Sequence, residues 1–528
     1  MKSKRTSDRR EFLSDVGRGM VIASVGSGLA GDLGFSSAFA DEDAKKLSFG
    51  KREPLVELMQ QTPVNKLQPL LVNMLKDGSA DLRQLVTAGA LANARTFGGE
   101  DYVGFHAMMA LVPAFEMSGE LPKARQALPV LKVLYRNTAR IQARGGRSNE
   151  VLRPVEPAKL AGDKPGGELL RSAVREQKMQ QAEGIFAALA NELKPEEAWH
   201  ELLRIVQDDT YIHNVAVAHR AWEMLDLIGR DQAHILLRQS VRLCVKEERD
   251  RIKRGWPEPP IRTVLPRLLD QHKLVGRKLG RRKADDAWVL QMNQTINTST
   301  QEQAADAVAA ALAEGMDPEA VGEAISLAAN QLVIRSTSSR THSNSLGVHG
   351  SDATNAWRNI ARMTDQRSTA ASLVVAAYHV AGQGQKVRAH DRGKAAQAGG
   401  EDPLARFRDK LQQQDASALL RGTEEAIRAN DQALASAAIL RYGELGHPSR
   451  PVFDLMLRFA VSEDGRLHSE KYYRTVTEEF AATRVAFRWR HLVGLARVTA
   501  SMYGYDRKDN HGHRAPGYEQ ACRLLGVG

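Results

Sequence analysis

Along most of the chain, apolar residues recur every three to four positions, the spacing of helices that bury one stripe. From Pro54 the stripe runs through Leu55, Leu58 and Met59, then Leu67, Leu70, Leu71 and Met74. Asp81 stands as an N-cap before Leu82, Leu85 and Ala88. Gly98-Gly99 breaks the pattern. Asp101 to Met117 predicts a helix, and Gly119 and Pro122 set it apart from a partner through Leu128, Leu131, Leu134 and Ile141. A Gly- and Pro-rich stretch at 146–168 reads as a linker. A helical block follows, in which Ile212, Val215, His219, Trp222 and Asp226 share one stripe and Pro257, Pro259 and Pro260 interrupt. Residues 301–335 predict an Ala-rich helix, and a Ser/Thr-rich loop spans Ser336 to Ser345. Residues 386–402, rich in Gly, Gln, Lys and Ala, read as a second linker, and 403–505 is helical again. Beta-branched alternation never persists. The expectation is an all-α fold of paired antiparallel helices forming a helical-hairpin repeat bundle or solenoid. Its units would be 41–145, 169–385 and 403–528.

The first forty residues carry a different pattern. Arg9-Arg10 with Phe12-Leu13 precedes a mild apolar run, and Ala38-Phe39-Ala40 offers a small-x-small cleavage site before Asp41. This resembles a twin-arginine export signal, which implies passage through the twin-arginine translocase as a folded protein and a periplasmic or secreted destination. A G-x-G-x-x-G at Gly26, Gly28 and Gly31 lies inside this segment with no strand before it, so no nucleotide cofactor is expected from it.

Composition narrows the classes. The chain has 528 residues, 42% apolar and 5% aromatic, and a formal charge of +11. No apolar run after the signal approaches the roughly eighteen residues of a membrane span. The signal holds six basic and four acidic residues, leaving +9 on the remainder. Its charges are spread through mixed-sign helices, so nucleic acid is not an expected partner. The densest basic cluster, Arg277-Lys278 with Arg281-Arg282-Lys283, reads as an exposed helix face. Cys244 and Cys522 are the only cysteines, and spacing leaves open whether they pair. P-loop, zincin and nucleophile-elbow motifs are absent.

Chemistry concentrates in a diverged repeat. Tyr102-Val-Gly-Phe-His106 leads to Ala114-Phe115-Glu116-Met117, and Tyr211-Ile-His213 leads, after the same gap, to Ala221-Trp222-Glu223-Met224. Gly347-Val348-His349 follows with Asp352 and Ala356-Trp357, and His468-Ser-Glu-Lys471-Tyr472 forms a fourth copy. Each opens a helix with a histidine. Neutral imidazole is both a metal ligand and a proton carrier. His106, His213, His349 and His468 are therefore the candidate catalytic residues. His106, His213 and His349 with Glu116, Glu223 and Asp352 are the candidate ligands for a metal ion. His213 and His219, six apart, are expected on different faces and not on one ion. The alternative for each histidine is a buried structural group.

The Gly-Phe-His106 to Glu116 and His213 to Glu223 segments, with His468-x-x-Lys471, resemble the questin oxidase-like family. In that family a histidine opens a helix with a glutamate ten residues on, and further helix-start histidines follow, one of them in a His-x-x-Lys setting. The resemblance implies an all-helical fold. For some members it also implies oxygen-dependent Baeyer–Villiger-type cleavage of fungal anthraquinones without a flavin fold. The expectation carried over is an exported oxidoreductase acting on a small organic substrate in a helical redox pocket with His106, His213, His349 and His468. The competing expectation is a helical-repeat binding scaffold of the cell envelope.

Overall fold

The computed structural model describes residues 46–160, 164–335, 346–395, 407–504 and 517–527. Arg9, Arg10, Phe12, Leu13, Ala38 and Ala40 of the export signal lie outside these residues, as does the Ser336–Ser345 loop. The described residues form 23 α-helices and no strand. None of these helices is long and apolar enough to cross a membrane. Predicted boundaries hold closely in the first third. Asp81 caps the helix Leu82–Phe97 with a reciprocal pair of hydrogen bonds to Gln84, and the next two helices are Tyr102–Glu120 and Leu128–Ala143.

One apolar core runs from Phe49 to Ala521 through all three expected units. The described residues of both expected linkers are more ordered than their composition suggests. In the first, the amides of Val151 and Leu152 both donate to the Arg95 carbonyl at 3.0 Å, and the Ala158 amide donates to Gly184 at 2.9 Å. Beside them Glu150 and Arg95, both buried, pair at 3.1 Å. At the second, the helix Gln366–Ala395 continues through residues 386–395. Lys386, Arg388, Asp391 and Arg392 give that stretch no apolar stripe, so periodicity does not reveal it. Cys244 and Cys522 are free thiols.

Four helices set up the site: Tyr102–Glu120, Ile212–Ile228, Leu346–Arg362 and His468–Ala482. Each packs on the next and the last returns to the first. Charged clamps below their starts hold this closed ring. Arg358 pairs with Glu479 at 2.6 Å, while Ser326 and Asn355 donate to the same carboxylate. Glu479 is buried, which alone would raise its pKa, but Arg358 and these donors bring it down to about 2. On the other side, Lys132 and Glu470, both with fully buried side chains, pair at 2.6 Å and fix the His468 helix to the helix Leu128–Ala143.

Candidate functional site

The starts of the four helices converge, and each brings its histidine. Asp101 caps the first by accepting from the Gly104 amide at 2.9 Å, and Arg140 grips the same carboxylate through two bonds of 2.8 and 2.7 Å. This fixes the turn from which His106 projects. His106, His213, His349 and His468 form a closed circuit. Ring centroids are 4.8 Å apart for His106 and His213, 6.1 Å for His213 and His349, 6.4 Å for His349 and His468, and 5.2 Å for His468 and His106. The four candidates named from sequence are thus brought together.

Hydrogen bonding assigns the tautomers of two of them. Nδ1 of His106 lies 2.7 Å from the Tyr102 carbonyl, which can only accept, so this nitrogen carries the proton. Nε2 of His106 is then a lone pair, and His213 donates to it through Nε2 at 3.3 Å. Nδ1 of His213 is left a buried lone pair with no hydrogen-bond partner, and Nε2 of His349 and of His468 are equally unpartnered. Burial, then the nearby Lys471, hold His106, His213 and His468 well below the usual imidazole range, and bring His349 down to about 4. The positive ends of four helices act in the same direction. These imidazoles are neutral at neutral pH.

Lys471, one helical turn after His468, is buried beside them. Burial lowers its amine to about 8 against the opposing pull of Asp352 and Glu470. Asp352, raised by its own burial, accepts from Thr475 at 2.8 Å. His213, His219, His349, Asp352 and Lys471 line a cavity of about 20 Å³, room for roughly one water molecule. His213 and His219 both border this cavity, along with Ile212, Ala216 and Arg220 of the same helix.

The carboxylates expected as metal ligands behave differently. Glu223 pairs with Arg220 at 2.5 Å and with Arg474 at 3.6 Å, and Glu116 lies 3.9 Å from Arg474. Arg220 of its own helix and Arg474 of the His468 helix engage Glu223, Arg474 also lies near Glu116, and Asp352 serves as the counter-charge of Lys471. Among the described residues, no group of three or more His, Cys, Asp or Glu side chains is gathered to hold a metal ion. The expected set of three histidines with three carboxylates is thus not assembled. What the site does offer a cation is four neutral imidazoles, three of them with an unpartnered nitrogen.

Aromatic rings, missed in the sequence reading, wall one side. Tyr102 lies 4.4 Å from His106 between ring centroids, Phe105 lies 5.0 Å from His106 and from His213, and Tyr211 lies 4.8 Å from His213. The signal was present: the first two motifs both open on a tyrosine, at 102 and 211. Tyr102, Phe105 and Tyr211, with Trp256 and Tyr378, line a cleft of about 830 Å³, large enough for an organic ligand. His349 borders both this cleft and the small cavity, so it stands where the two meet. Compared with protein-family models, with curated proteins and with solved structures, the chain matches none.

Proposed function

We propose that the protein is an exported, oxygen-dependent oxidoreductase, similar in its site to the questin oxidase-like family, that acts on a small organic substrate in the aromatic cleft. The observation that carries this reading is the convergence of four neutral histidines from four helix starts beside a buried lysine. A structural role for each histidine calls for a backbone partner of its own, and three of the four have an unpartnered ring nitrogen instead. His106, His213, His349 and His468 are the residues that would hold a transition-metal ion, but only once their rings turn, because as they stand no three of them are gathered as ligands of one ion. When bound, such an ion supplies one-electron chemistry with oxygen. Tyr102, Phe105 and Tyr211 keep water from the face of His106 and His213, and Lys471 provides an ammonium that can give up its proton near pH 8. The four histidine helices are, in the same proposal, diverged copies of one helical-hairpin unit. Arg9-Arg10 and Phe12-Leu13, with the Ala38 and Ala40 site, direct the folded protein through the twin-arginine translocase to the periplasm or beyond.

The test is metal content of the protein recovered from the exported fraction, with oxygen uptake on phenolic and quinone substrates. One ion per chain, falling at least tenfold in His106→Ala and His213→Ala while both variants stay folded, is the expected result. A folded protein that takes up no divalent metal, even after incubation with iron, manganese, copper or zinc, removes the metal from the proposal.

A further inference from the structure

Away from the histidines, a second cavity of about 210 Å³ lies between the helices Gly166–Arg175, Pro195–Val206 and Ile261–Gln271 and the start of Gln366–Ala395. One wall is cationic, with Arg171, Arg204 and Arg367; another is apolar, with Ile261, Leu265 and Leu269. The arginines are unequally served. Glu168 pairs with Arg171 and, at 2.9 Å, with Arg204, which also has Glu201 at 3.4 Å. Asp208, on the same wall, is taken by Arg175 through bonds of 2.6 and 2.7 Å. Among the described residues, no carboxylate lies within ion-pair distance of Arg367, whose hydrogen bond to Gln207 is 3.3 Å.

Arg367 is also badly placed for an unpaired cation. It is the second residue of a 30-residue helix, where the helix dipole repels positive charge. Partial burial, then Arg204, push its pKa down, only partly offset by Glu168 and Asp365. A guanidinium held among other guanidiniums at the positive end of a helix, facing an open volume, is an arrangement that an anion resolves.

We infer that this cavity binds an oxyanion group carried on a short apolar body, such as a small organic carboxylate. The planar fork of Arg367 takes the oxyanion and Leu265 and Leu269 take the body. The site is independent of the redox reading, although Ile261 lines both this cavity and the aromatic cleft.

Calorimetric titration of the full protein at low salt with hexanoate, acetate and inorganic phosphate tests it, beside Arg367→Gln. Saturable hexanoate binding, tighter than acetate and weakened at least tenfold in Arg367→Gln, is the expected result. Phosphate binding lost in Arg367→Gln would also support the oxyanion pocket and identify free phosphate as its source. Absence of saturable binding by any of the three, or binding equal in Arg367→Gln, overturns it. Arg367→Gln gives up one long hydrogen bond and relieves repulsion, so its melting temperature without ligand should be no lower than that of the parent.

Discussion

Lys471 is the residue on which the electrostatics of the site turn. Its folded pKa of about 8 lies below the ordinary 10.5, so between these values the unfolded chain binds the extra proton. Stability therefore rises as pH climbs from 8 to 10.5, and below 8 the full cost of burying the ammonium remains. That cost is about 3 kcal/mol at 1.36 kcal/mol per pK unit. In Lys471→Met the rise should vanish. Denaturant midpoints of parent and variant across pH 7 to 10 measure it, and a rise that survives the substitution would sink the assignment. The four histidines were legible in the sequence because each stands at a helix start, and for His106 and His213 the gap to Ala-aromatic-Glu-Met repeats as well. The role of Lys471 was not, because the depression of its amine comes from how deeply the packed helices bury it, against the opposing pull of Asp352 and Glu470. Spacing puts Glu116 and Glu223 near histidines, but Arg474 from another helix approaches both and Arg220, one turn back, pairs with Glu223.

At the scale of elements, the question is what delivers a histidine to within a few tenths of an ångström. For His349 the answer is close packing of the helix start. A Cβ on Gly347 would stand 2.8 Å from the Val333 amide nitrogen and 2.9 Å from its Cα, backbone atoms of the neighbouring helix that cannot move aside. Gly350, one turn on, has only the Gln383 side chain, at 4.0 Å. Gly347→Ala should therefore cost about 1–3 kcal/mol, as overpacking does, and lower ligand or metal uptake at the histidine site. Gly350→Ala should gain up to about 1 kcal/mol from helix propensity. Thermal melts of both variants decide it: if Gly347→Ala is as stable as Gly350→Ala, contact with Val333 does not position the helix. Helices with an apolar stripe were readable from periodicity. The continuation of Gln366–Ala395 past residue 385 and the packed coil around Glu150 were not, because neither carries an apolar stripe; Arg388 there donates to the Asn297 carbonyl, and Glu150 pairs with Arg95.

For the whole molecule, the histidines set the response to acid. His106, His213, His219, His234, His349, His379, His468 and His491 are all held below 6.5, chiefly by burial, five of them at about 4. Below pH 6.5 the unfolded chain takes up protons that the folded protein refuses, so stability is intact above 6.5 and is lost as pH falls toward 4. Each such group removes about 1.4 kcal/mol per pH unit once its unfolded form is charged. Eight together come to about 11 kcal/mol per unit, comparable with the whole stability of a typical domain, about 5–15 kcal/mol. Asp209, Asp352 and Glu470, raised by burial, act in the opposite sense, but they are three against eight. Unfolding followed by tryptophan fluorescence should therefore have its midpoint between about pH 5 and 6. A chain still folded at pH 4 would contradict the neutral-histidine account. The His491 ring bonds to Thr483 at 3.1 Å, away from the four-histidine circuit. His491→Gln can keep that bond while withdrawing one proton, so it should shift the midpoint to lower pH and reduce the slope of stability on pH by about 1.4 kcal/mol per unit. A slope unchanged in this variant would place the acid sensitivity in the carboxylate clamps around Glu479 rather than in the buried imidazoles.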